Sequence, residues 1–134
     1  MTHQDRARRG PRVVALGGEH LASVRDWIVE VDRAAPKGDQ RRVEALLMDF
    51  RAQSYALSAE EAGTLLEDLR ARFGRHMPPL ATVARAGGQF GGTRVLCTLA
   101  ELSGYRASAF LTKAEAWAWL RGQLDGRARL APPA

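Results

Sequence analysis

Apolar residues recur along this chain with two alternating spacings, and the alternation predicts the order of its elements. Arg12 to Leu16 is a short β-branched run closed by Gly17-Gly18. From Glu19 the spacing becomes helical, with Leu21, Val24, Trp27 or Ile28, and Val31 on one face. Pro36-Lys37-Gly38-Asp39 breaks that helix. Val43 to Phe50 is almost continuously apolar, as expected of a strand covered on both faces in a parallel sheet. Ser58-Ala59-Glu60-Glu61 is a capping box, with Ser58 as the N-cap and Glu61 at the third helical position. Ala62, Leu65, Leu66, Leu69 and Phe73 form the buried stripe of the helix it opens, and Gly74 closes it.

The second half repeats the scheme. His76 to Pro79 is a connector, Leu80 to Ala84 a short strand, and Gly87-Gly88-Gln89-Phe90-Gly91-Gly92 a turn. A helix from about Thr93 is expected to bury Val95, Leu96, Leu99 and Leu102 and to end at Gly104. Tyr105, Ala107, Ala109 and Leu111 alternate with Arg106, Ser108 and Phe110, the period-2 pattern of a more exposed strand. Thr112-Lys113-Ala114-Glu115 is a second capping box. Its helix carries Ala116, Leu120 and Leu124 inward and is expected to stop at Gly126. The sum is β-α-β-α-β-α-β-α with short connections, an α/β layer fold with a largely parallel sheet.

Bulk properties narrow the function classes. A chain of 134 residues, 46% apolar, makes a single domain able to bury a core without metals or disulfides. We expect that domain over 12–126, with a basic arm at 1–11 and a tail at 127–134. The lone Cys97 cannot form an internal bridge, which suits a reducing compartment. No apolar run approaches the ~20 residues of a membrane span, and the polar N-terminus lacks a secretory pattern, so a cytoplasmic location is expected. The net charge of +5 comes almost wholly from eighteen arginines, against Lys37 and Lys113 alone. That bias matches the composition of a GC-rich bacterial genome. Arg6, Arg8, Arg9 and Arg12 form the one dense cluster, which reads as a soluble terminus or, as the alternative, a basic arm for nucleic acid or anionic lipid. No aromatic residue interleaves it, so a stacking platform for single strands is not supported.

Candidate chemistry gathers where the strands end. In an open parallel sheet, ligands collect beyond the carboxyl ends of the strands. The turns there hold Gly17 to His20; Asp49, Arg51, Ser54, Tyr55 and Ser58; Gly87 to Thr93; and Thr112 with Lys113. The glycine-rich turn suits an anion, because its backbone N–H groups and the helix that follows carry positive partial charge. Gly87, Gly88, Gly91, Gly92, Thr93, Arg94 and Arg51 are therefore candidate ligand-binding residues. The same glycines equally suit tight turning alone, and the run is neither a Walker motif nor G-x-G-x-x-G. Asp49 and Arg51 form a strand-end ion pair, and Cys97 reads as a packed residue. His3, His20 and His76 are scattered, so no metal and no cofactor is expected. Trp117 and Trp119 lie about 200° apart around their helix, so they cannot share one face, and Trp117, if it is the exposed one, is a candidate contact for a partner or a second copy.

Two blocks carry a family resemblance: Leu46 to Arg51 at the end of the second strand, and the layout Phe90-Gly91-x-x-Arg94 … Phe110 … Glu115-Ala116-x-x-Trp119-Leu120. Over about residues 12 to 125 the chain resembles the small bacterial STAS-like proteins. These are similar to anti-anti-sigma factors and are grouped with Sec14-type (CRAL-TRIO) lipid-binding domains. The resemblance implies a four- or five-stranded sheet flanked by helices, a core role for Trp119-Leu120, and a regulatory or binding module with no catalytic residues. In such proteins a hairpin precedes the first helix, whereas here only Arg12 to Leu16 is a convincing strand. In the anti-anti-sigma proteins an Asp-Ser-Ser-Gly-like turn starts the next helix, and a Ser within it is phosphorylated. Laid on this chain, that position falls at Ser58, without the Asp or Gly and beside Glu60 and Glu61, so Ser58 is a candidate phosphoacceptor as well as an N-cap.

Three functions from different classes follow as expectations. The first is a non-enzymatic module acting through a protein partner, a homodimer, or a small apolar or anionic ligand, with a groove bounded by the second and third helices and the glycine-rich turn. The second is a lipid or hydrophobic-ligand carrier of the Sec14 type. The third is a small enzyme with a strand-end site built from Arg51, Tyr55, His20 or Arg94.

Overall fold

The computed structural model describes residues 12–130, with side-chain surroundings through 126. Four strands form one sheet: β1 (Arg12–Gly17), β2 (Val43–Asp49), β3 (Leu80–Val83) and β4 (Ala107–Phe110). They lie in the order β1-β2-β3-β4, and every neighbouring pair is parallel. Each connection carries a helix: α1 (Val24–Ala34), α2 (Ala59–Phe73) and α3 (Gly88–Leu102), with α4 (Lys113–Leu130) following the last strand. Because right-handed crossovers between successive strands all rise on the same side, α1, α2 and α3 share one face of the sheet.

Two cores follow from that asymmetry. Under the three helices, Trp27, Val31, Leu65, Leu69 and Leu96 pack with Leu46, Met48 and Leu80. On the opposite face a single helix covers the sheet, where Ala116 and Leu120 meet Ala45, Leu47, Ala81 and Val83. This explains why β2 is apolar at almost every position: Ala45, Leu46, Leu47 and Met48 are all fully buried, facing the two layers in turn. The α1–α2 layer is fastened at its rim by Arg72, whose guanidinium donates to both carboxylate oxygens of Asp32 at 2.7 and 3.1 Å.

The local signals hold where they are self-contained. Ser58 accepts from the Glu61 amide at 3.0 Å and Glu61 accepts from the Ser58 amide at 2.9 Å, so the capping box is complete. Thr112 likewise accepts from the Glu115 amide at 3.2 Å. The predicted stripe of α2 is buried throughout.

Helix boundaries differ in three places. α1 begins at Val24, because Ser23 caps it through the Asp26 amide, while Glu19 to Ala22 form a looped connector from which Leu21 still reaches the core. α3 begins at Gly88, so the glycine-rich run is its first turn and a half. Gly87, at φ +97°, makes the entry that a side chain would strain, and Gln89 folds back to accept from the Arg85 amide at 2.7 Å. The buried face of α3 is accordingly Gln89, Gly92, Thr93, Leu96, Cys97 and Ala100, with Val95 and Leu102 left exposed. α4 runs past Gly126 to Leu130, beyond the expected start of the tail. The basic arm at 1–11 lies outside the described residues, as does any strand preceding β1.

Candidate functional site at the strand ends

The four strands run in one direction, so their carboxyl ends open onto a single edge of the sheet. The segment Phe50 to Ser58, between β2 and α2, is the centre of that edge. The Phe50 amide donates to the Val83 carbonyl at 2.8 Å, continuing the ladder one step past the strand. Beyond it the loop is held by side chains. Arg85 donates to the backbone carbonyls of Arg51 and Gln53, the latter at 2.7 Å. Gln89 donates to the carbonyls of Gln53 and Tyr55 at 3.2 and 3.3 Å. Gln53, only 3% exposed, donates to the Gly18 carbonyl at 2.6 Å and so ties the first turn to the second. Trp27 Nε1 donates to the Tyr55 hydroxyl at 3.1 Å.

Gln53, Arg85 and Gln89 were not among the residues singled out from sequence. The loop carbonyls they hold lie 32 to 36 residues away, so no local pattern marks that role. The nearest signal is a lone Gln inside a glycine run, which a turn does not need.

The residues proposed from sequence occupy this edge without converging. Arg51 is spent on Asp49, donating from Nε at 3.0 Å and from Nη2 at 2.8 Å, the ion pair expected there. Gly87, Gly88 and Gly91 are exposed on the first turns of α3. Gly92 is buried against Leu57, and the Thr93 hydroxyl turns inward to donate to the Phe90 carbonyl at 3.0 Å. Arg94 is exposed, its guanidinium 6.0 Å from the Phe90 ring centre. Ser58 is occupied as a cap. Trp117 is half-buried against the core under α4, while Trp119, on the other flank, lies 5.9 Å from Phe110. His20 is exposed and 3.3 Å from Glu30. No cluster of three metal-ligating side chains occurs among the described residues.

An open cleft of about 590 Å³ lies between the first two turns, lined by Glu19, Ala22, Gln53, Ser54, Tyr55 and Glu61. Its charged walls are both acidic. Among the described residues, no buried side-chain nitrogen or oxygen lacks a hydrogen-bond partner.

The titrating groups near this edge have identifiable causes. Burial alone would push Asp49 up, but hydrogen bonds from the Arg51 side chain and amide, with the charges of Arg51 and Lys113, hold it below the ordinary 3.8. A carboxyl with a lowered folded pKa stabilises the fold above its unfolded pKa, and that contribution is lost as pH falls through the folded value. Asp49→Asn should therefore be less stable than the native chain at neutral pH, with the gap closing in acid below 3.8. Urea unfolding at both pH values measures it; a gap that persists in acid would mean packing, not charge. Burial also pushes the Tyr55 hydroxyl above its ordinary value.

Away from the edge, burial drives the Cys97 thiol up to about 12, against a small opposing effect of the Thr82 hydroxyl 3.8 Å away. The folded protein should resist iodoacetamide at neutral pH and alkylate only in denaturant, as read by intact mass. Rapid labelling of the folded chain would contradict that burial.

Comparison with known proteins adds no relative: no family model, no curated protein and no solved structure matches the chain. No helix among the described residues is long and apolar enough to cross a membrane.

Proposed function

We propose that this chain is a non-catalytic, STAS-like regulatory module of the cytoplasm that works by contact with another protein. The observation that carries the reading is the strand-end network. Arg51, Arg85, Gln53 and Gln89 each direct their hydrogen bonds at the protein's own backbone or at Asp49. Such an edge presents a fixed shape, and it spends the very groups a reaction would use. General acid–base chemistry favours a group titrating near the working pH. The shifted groups here move the other way, Asp49 toward a permanent carboxylate, Arg51 toward a permanent cation and Tyr55 toward a permanent phenol.

The parallel sheet with helical crossovers suits the resemblance that rests on Leu46 to Arg51, Phe90 to Arg94 and Ala116 to Leu120. A protein-contact role is favoured over a lipid carrier by the filling of the main core. Trp27 and Phe50 stack at 4.3 Å beneath α1, where a carrier of this size would need room for its ligand. Native mass spectrometry of the full chain, followed by denatured intact mass, tests the proposal. The polypeptide mass alone is expected in both. A mass excess lost on denaturation would replace the module with a carrier. A covalent excess of about 80 Da would instead indicate a phosphorylation switch, its absence from Ser58→Ala then placing it at Ser58.

A further inference from the structure

The solvent face of α3 carries an apolar stripe that nothing among the described residues covers. Val95, Leu99 and Leu102 follow one another at i, i+4 and i+7, one line along a helix. Val95 is 37% and Leu102 is 79% exposed. Between this stripe and α2 runs an open groove of about 560 Å³, with Leu66 and Leu99 in its floor, Gly63 and Thr64 on its α2 wall and Leu102 and Ser103 at its end. An added Cβ at Gly63, or at Gly91 one turn before Val95, would meet nothing within 4 Å, so a neighbouring backbone has room to approach. This groove lies between the second and third helices, as the sequence suggested, but the glycine-rich run does not line it.

Charge decides what the groove would accept. The chain carries +5 overall, yet the charged residues lining the groove are Glu60, Glu67 and Asp68, and Arg70, outside that lining, pairs with Glu67 at 2.9 Å. A second copy of the chain docked through the same face would set one acidic rim against another. The chain's own first eleven residues bring Arg6, Arg8 and Arg9 but no large apolar side chain after Met1 to fill the stripe. Two parallel ridges with an apolar floor and an acidic rim fit one shape and one charge pattern, an amphipathic helix with basic flanks.

We propose that the α2–α3 groove is the docking site for a basic amphipathic helix of another protein. This rests on the module reading above and names its contact. The probe is a fluorescein-labelled helical peptide of about 18 residues built from Leu and Lys, with a Leu/Glu peptide of the same pattern as its mirror. Polarisation titrations use the full chain. Binding of the Leu/Lys peptide is expected, weakening with salt and falling about tenfold or more in Leu102→Glu, where one buried leucine anchor is lost. Val95→Glu, on the same stripe, gives a second variant with its own exposed site.

Because both substitutions add negative charge, a merely electrostatic contact would tighten instead, and that result would overturn the proposal. So would equal binding of the Leu/Glu peptide, or none of the Leu/Lys peptide. Tighter binding after Arg6, Arg8 and Arg9 are replaced by Ser would assign the groove to the chain's own arm. Self-association abolished by Leu102→Glu would assign it to a second copy. A small ligand seen by native mass spectrometry would sink the module reading while the titrations still judged the groove. A clean mass with a failed titration would remove the docking site alone.

Discussion

Trp27→Ala is expected to cost the fold about 3–5 kcal/mol, the range for emptying an aromatic site in a packed core. The indole is fully buried, stacks on Phe50 at 4.3 Å with the rings tilted by 33°, and lies between α1 and the sheet. Its loss removes more than volume. Trp27 Nε1 is the donor to the Tyr55 hydroxyl, so alanine leaves a half-buried phenol without that partner. Tyr55→Phe separates the two effects, because it strands the indole N–H while preserving the stack. That variant should lose about 1–3 kcal/mol, the cost of one unpaired buried group. Urea unfolding followed by circular dichroism gives both numbers without relying on tryptophan emission. A loss below about 1 kcal/mol for Trp27→Ala would mean that the indole does not sit in the core.

Alanine at two adjacent glycines should move stability in opposite directions. A Cβ at Gly92 would stand 2.5 Å from the Leu57 carbonyl oxygen and 3.0 Å from the Leu57 nitrogen. Both are backbone atoms of a loop that Arg85 and Gln89 hold in place a few residues earlier, so the loop cannot retreat cheaply. Overpacking of this kind costs about 1–3 kcal/mol and sometimes more, which outweighs the ~1 kcal/mol that alanine gains over glycine in a helix. At Gly91 nothing lies within 4 Å of the same atom, and only the helical gain of about 0.5–1 kcal/mol remains. Thermal melts of Gly91→Ala and Gly92→Ala should therefore bracket the native chain. Equal shifts of one sign would show that α3 does not touch Leu57.

The contrast between these two glycines also marks how far the sequence could be read. The order of elements along the chain and the stripe of α2 were legible because burial on a fixed face leaves a period, as at Leu65, Leu66, Leu69 and Phe73. The Ser58 capping box and the Thr112 half of the second one were legible because their partners are three residues apart. The start of α3 was not, since a glycine run signals a turn unless something across the fold demands close approach. Leu57 makes that demand, and it turns the helix so that Gly92, Leu96 and Ala100 face inward while Val95 and Leu102 face out. The strand-end network escaped for the same reason, as the partners of Gln53 and Arg85 come from other loops. Of the candidate site, Arg51 with Asp49 and Ser58 as a cap were readable from neighbours in the chain.

The uneven dressing of the sheet makes one of its faces depend on a single helix. The layer of α1, α2 and α3 lies on one side, and α4 covers the other. Without Ala116 and Leu120, Ala45, Leu47, Ala81 and Val83 would form a bare apolar surface on an otherwise assembled sheet. A chain cut before that helix would present this sticky side, the kind of surface chaperones recognise and aggregates nucleate on. The last described helix thus acts as a seal, and trimming it should trade a folded chain for an aggregating one.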